Sequence, residues 1–204
     1  NESLIANLEY WQRLELGVGL FAASALSNIT NKPVEIKFPF VHNNPIATVG
    51  EYKIYWQYTI QQRPDHDLDI SEILIKEISN VIGINVSASR ADIAITYRDK
   101  IVNIFECKYS ESEEPQTQAI TDAISQLVRY ARDINFSSIS NTKHFLSRCF
   151  IVVCDCNKYN PINSIASQHK GVTNVYFSDI KNISNNTLDI WAKELNDFCY
   201  GKIC

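Results

Sequence analysis

The run IVNIFECKY, residues 101–109, reads as a β-strand that ends on a carboxylate and an ammonium two residues apart. Successive side chains of a strand point to opposite faces, so Ile104, Glu106 and Lys108 share one face while Phe105, Cys107 and Tyr109 share the other. Either the charged face is wet or it is a site, and the neighbouring sequence bears on which. Just upstream, ADIAITY (91–97) is a second apolar strand separated from the first by RDK, a spacing that predicts a hairpin. That hairpin would bring Asp92 to the same end of the sheet as Glu106 and Lys108.

Further out, EYKIYWQYTIQ (51–61) alternates as a strand, and RPDHDLDISEILIKEISNVIG supplies a turn, acids suited to a helix start and a helix over about 68–82. A second helix is expected over about 116–134, with Ile120, Ile124, Leu127, Val128 and Ala131 as its core stripe. CFIVVCD (149–155) is the nearly all-apolar run of a strand covered on both faces. A short helical piece near 162–168, a strand at VTNVYF and a helix around 188–198 follow. The order predicts an α/β domain with a central mixed β-sheet flanked by helices. Residues 1–50, with a helix over about 2–27 and then loop and short extended structure around Pro33, Pro39 and Pro45, read as a helical and extended appendage to a domain at 51–204.

With 45% hydrophobic and 21% charged residues over 204 positions, the chain can bury a real core, and no apolar run approaches the roughly 18 residues of a membrane span. The first residues lack the basic start, apolar centre and small-residue cleavage site of a signal peptide, so a cytoplasmic location with no membrane contact is expected. The chain contains no methionine, even at position 1, as expected of a fragment or a processed form. Six cysteines without a C-x-x-C pair read as reduced core thiols rather than a zinc site. A net charge of −4 argues against coating nucleic acid by charge alone, but does not exclude a nuclease, since a metal-binding carboxylate cluster is itself acidic.

Asp92 and Glu106 together form a hard-oxygen site suited to Mg²⁺, which takes carboxylates plus several waters. Lys108 beside them could orient or deprotonate a water or neutralise charge developing on a phosphate. On the helix over 68–82, Ile70, Ile73, Leu74, Ile78 and Val81 cluster on one side at about 100° per residue, and Glu77 falls inside that arc. A carboxylate on a buried face is costly unless paired or metal-bound, so Glu77 is expected to add a further acid to the site. On the later helix, Gln126 and Tyr130 are one turn apart at the margin of the apolar stripe, and Arg129 and Arg132 on adjoining faces suit phosphates or solvent.

This ordered set resembles the PD-(D/E)xK nuclease superfamily. Glu77 matches the acid of the first helix, Asp92 the motif aspartate, Glu106-Cys107-Lys108 the E-x-K, and Gln126 to Tyr130 the Q-x-x-x-Y motif of the branch that contains RecB-like nucleases. Ala91 stands where the motif has proline. A literal Pro64-Asp65 precedes the helix, and makes Asp65 the alternative ligand. The resemblance covers about residues 68–155 and implies a restriction-endonuclease-like core. It also implies a Mg²⁺-dependent DNA endonuclease, with Mn²⁺ able to substitute, of a restriction, defence or repair setting. Asp92, Glu106, Lys108, Gln126 and Tyr130 would be catalytic, Glu77, Asp92 and Glu106 metal ligands, and Arg129 and Arg132 contacts to DNA. A homodimer, or a subunit of a larger nuclease assembly, is the implied state. The alternative is a nuclease-like module that binds nucleic acid or a protein partner without cutting.

Overall fold

Arg98 and Asp99 link two strands, β4 (Arg90–Tyr97) and β5 (Lys100–Tyr109), in the middle of a seven-stranded sheet. Both turn residues have positive φ, 49° and 63°, the twist that a two-residue hairpin needs. Side chains hold them there: Arg98 donates to both carboxylate oxygens of Glu51 at 2.7 and 3.0 Å, and Lys53 pairs with Asp99 at 2.5 Å. The structure, a computed structural model, describes residues 8–41, 43–60, 70–83, 90–109, 113–134, 139–154, 176–179 and 185–201. The helical piece expected near 162–168 lies outside them, as do Asp65, Asp67, Asp69 and Asp155.

Among the described residues the elements run α1 (Tyr10–Thr30), β1 (Val34–Ile36), β2 (Pro45–Val49), β3 (Tyr52–Thr59), α2 (Ile70–Val81), β4, β5, α3 (Glu113–Asp133), α4 (Ile139–Leu146), β6 (Phe150–Cys154), β7 (Tyr176–Asp179) and α5 (Asn185–Gly201). The strands stand in chain order across the sheet. β1 to β5 are antiparallel, and β6 and β7 then join parallel to β5. The chain is therefore α/β, with a mixed open sheet flanked by helices, as its pattern predicts. β2 and α4 were not foreseen: PIATV and ISNTKHFL are too short and too mixed in character to show a period.

Each face of the sheet carries its own core. Phe105 and Cys107 of β5 point to the side of α1 and α5, where Phe105 stacks on Phe150 at 5.1 Å and meets Trp191 of α5 edge-on at 4.9 Å. Truncating either fully buried aromatic would cost about 3–5 kcal/mol. Ile104 points to the other side, beneath Leu127, Tyr130 and Ala131 of α3 and Phe145 of α4. Between Ile95 and Thr96 the register slips by one residue, with Val102 the extra one on β5.

The described residues of the first fifty share this sheet and its core. α1 lies along the sheet with Ala22, Ala23 and Leu26 fully buried, and β1 and β2 are sheet strands. The small side chains of α1 permit that approach; a Cβ on Gly19 would stand 2.9 Å from Ile46 and 3.0 Å from Ile93. Conversely, among the described residues α2 contributes none to either core, and its Ile70, Leu74, Ile78 and Val81 are exposed. Its amphipathic period is real, but the apolar stripe meets no face of the sheet among the described residues.

Candidate metal and catalytic centre

The site forms where the strand ladders stop being regular. β4 and β5 pair as far as Ile93 opposite Phe105. Beyond that point Asp92 supplies a side-chain acceptor instead: its Oδ2 accepts the Cys107 N–H at 2.7 Å. On the other edge of β4, Trp56 pairs with Ile93 and Tyr58 with Ala91, while the residue between, Gln57, sits at a φ of 52° inside a strand. Side-chain-bearing residues rarely adopt that conformation, and such departures gather at functional sites.

β5 then delivers the two charged residues of its α3 face. Glu106 is buried, at 1% exposure, and its Oε2 accepts from the Lys108 ammonium at 2.9 Å. Lys108 also donates to Gln126 Oε1 of α3 at 2.7 Å, so strand lysine and helix amide are joined directly. Tyr130, one turn further along α3, is buried; its hydroxyl donates to the Arg90 carbonyl at 2.6 Å and stands beside the Glu106 carboxylate. The structure thus brings together Asp92, Glu106, Lys108, Gln126 and Tyr130. The Arg129 guanidinium lies 5.7 Å from the Tyr130 ring centroid and is exposed, whereas Arg132 is half-buried.

Glu77 behaves differently from expectation. It is exposed on α2, because the apolar arc that encloses it is itself turned outward. The buried helical acid is instead Glu15 of α1, at 5% exposure, whose Oε2 accepts from Trp56 Nε1 at 2.7 Å and Gln57 Nε2 at 3.1 Å. The signal was present in the sequence: at about 100° per residue Glu15 lies within about 40° of Gly19, Ala22 and Leu26, inside a small-residue stripe. The reasoning applied to Glu77 selects Glu15 once the Gly/Ala face is read as a helix–sheet contact.

No family model, curated protein or solved structure matches the chain. Its chemistry therefore has to be read from the electrostatics of the site. Burial, then the charge of Asp92, pushes the Glu106 carboxyl up to about 8. Burial and Asp92 likewise push Glu15 up to about 7, against the hydrogen bonds from Trp56 and Gln57. Asp92 is raised by burial too, although Lys108 and the Cys107 N–H oppose the shift. Burial would favour the neutral amine of Lys108, but Glu106 and Asp92 overcome it and hold the ammonium charged.

Three acids raised together, by burial first and for Glu15 and Glu106 by Asp92 next, mark a dry place that the single Lys108 ammonium does not neutralise. Among the described residues no three His, Cys, Asp or Glu side chains gather tightly enough to enclose a metal alone. Mg²⁺ does not require that, since it commonly takes one or two carboxylates and keeps several waters. Glu106 Oε1 is buried without a hydrogen-bond partner, and the Glu106 carboxyl stands against that of Asp92. Asp92 and Glu106 are the hard oxygen donors that would hold a divalent cation.

Proposed function

We propose that the chain is a Mg²⁺-dependent DNA endonuclease of the PD-(D/E)xK type, with a restriction-endonuclease-like core, working in restriction, defence or repair. The observation that carries this reading is the Lys108 ammonium held between Glu106 and Gln126, beside Asp92 on the adjoining strand. Asp92 and Glu106 would hold the ion, and Glu15, rather than Glu77, would act on it through a bound water. A bound Mg²⁺ supplies Lewis-acid polarisation of the phosphate and a more acidic water. Lys108, being protonated, acts as donor and counter-charge rather than as base: it can orient a water or neutralise a non-bridging oxygen as charge builds. Gln126 fixes the direction of that ammonium, and Tyr130 ties α3 to the start of β4 and so fixes the distance between helix and sheet. Exposed Arg129 at the margin suits a backbone phosphate.

The test is incubation of the protein with supercoiled, linear and single-stranded DNA, with and without Mg²⁺ or Mn²⁺, beside Lys108→Ala. Metal-dependent cleavage should fall by about 10²–10³-fold in the variant, with its circular dichroism unchanged. Equal cleavage by both proteins would remove Lys108 from the chemistry. No cleavage together with no calorimetric Mn²⁺ binding, free or DNA-bound, would favour the module that binds without cutting.

A further inference from the structure

Glu15 of α1 is tied to the sheet by two neighbouring residues of β3. In an ordinary strand Trp56 and Gln57 would point to opposite faces. Here both are buried, at 6% and 3% exposure, and both donate to the same atom, Glu15 Oε2, at 2.7 and 3.1 Å. The left-handed φ of Gln57, 52°, is what turns the second side chain to the side of the first. Glycine or asparagine would occupy that conformation with less strain. The chain instead carries the longer amide there, and its length is what reaches across to α1. Gln57 also falls opposite Asp92, between the paired rungs Trp56 with Ile93 and Tyr58 with Ala91, so the strained residue and the motif aspartate share one level of the sheet.

We propose that Trp56 and Gln57 are positioning residues: together they grip Glu15 by one carboxylate oxygen and present the other towards Asp92, setting the affinity of the site for its divalent cation. This rests on the metal-site reading above. Two convergent donors fix both the depth and the rotation of the carboxylate, which one donor would leave free to swing. They also favour its ionised form, the form that binds a cation. In this arrangement the aromatic ring of Trp56 packs in the core while its N–H serves the site, and the conformational cost at Gln57 is offset by the geometry it gives Glu15.

The experiment is Mn²⁺ titration calorimetry on the full chain, comparing wild type with Trp56→Phe, which keeps a ring and removes the N–H, and Gln57→Gly, which suits the φ and removes the amide. Each is expected to weaken Mn²⁺ binding by about tenfold or more. In a Glu15→Gln background neither should weaken it further, because both act through Glu15. Unchanged affinity in the single variants overturns the proposal. So does a loss of full size that persists without the Glu15 carboxylate, since a merely structural role would give additive effects. Should Trp56→Phe fail to fold, Gln57→Gly decides alone. Glu106→Gln separates the two layers of inference: it should abolish binding, and full Mn²⁺ binding in that variant would overturn the metal site itself.

Discussion

At the scale of single residues, the site is a set of acids kept from ionising by their surroundings, and that has a sign. Burial and the charge of Asp92 push Glu15 up to about 7 and Glu106 up to about 8 in the folded chain, above the ordinary carboxylate range. A carboxyl raised on folding stabilises the fold fully below its unfolded pKa and loses that contribution as pH rises through the folded one. The metal-free protein should therefore lose stability between about pH 5 and about pH 8. Exposed acids such as Glu35 and Glu51, lowered by Lys37 and by Arg98 with Tyr97, act only below that window. Melting curves across the range should show the midpoint falling without metal and recovering with Mg²⁺, because the cation replaces the protons. Glu106→Gln should flatten the upper part of the decline. A midpoint that is level or rising without metal would show that the acids are solvated. At the end of β5, Glu106 is dry, Lys108 is its counter-charge, and Cys107 faces the opposite core with its N–H on Asp92.

At the scale of elements, what could be read was whatever local pattern controls. Alternation in ADIAITY and IVNIFECKY, interrupted by RDK, predicted a hairpin that the structure contains, and the apolar run at 149–155 predicted a buried strand. Periodicity could not tell which amphipathic helix meets the sheet. α2 has the stronger apolar stripe and leaves it exposed, while α1 has a face of glycine and alanine and buries it. Burial depends on the area two surfaces can close, and small residues let a helix come near enough for its backbone to add to the contact. That is why helix periodicity points to Glu77 and passes over Glu15, whose two donors lie more than forty positions away in sequence. The two glycines of α1 test the point. Around a Cβ on Gly17 there is open space, so Gly17→Ala should stabilise by about 0.5–1 kcal/mol through helix propensity. Gly19→Val should instead push Ile46 and Ile93 and destabilise by about 1–3 kcal/mol. Chemical denaturation of both reads the difference, and equal effects would mean that α1 does not lie this close to the sheet.

At the scale of the whole molecule, the site end of the sheet is also where the chain departs from it. Thr59 of β3 pairs directly with Arg90 of β4, so a tight turn could join them, yet residues 60–89 intervene and carry α2. Ile60 belongs to the core under α3, but among the described residues α2 adds none to either core. Replacing 61–89 with a short glycine-containing turn should therefore leave the melting midpoint within about 4 °C of the parent, the shift that about 1 kcal/mol would cause in a chain of this size. The same variant adjudicates between the two helical acids. If Glu15 completes the site, Mn²⁺ affinity survives the replacement and falls in Glu15→Gln. If Glu77 does, affinity is lost with the excursion and Glu15→Gln is silent. The structure favours the first outcome on energetic grounds: Glu15 is dehydrated and held by two donors, a state that is costly without a cation to receive it. Glu77, exposed on α2, has water on offer and no such need.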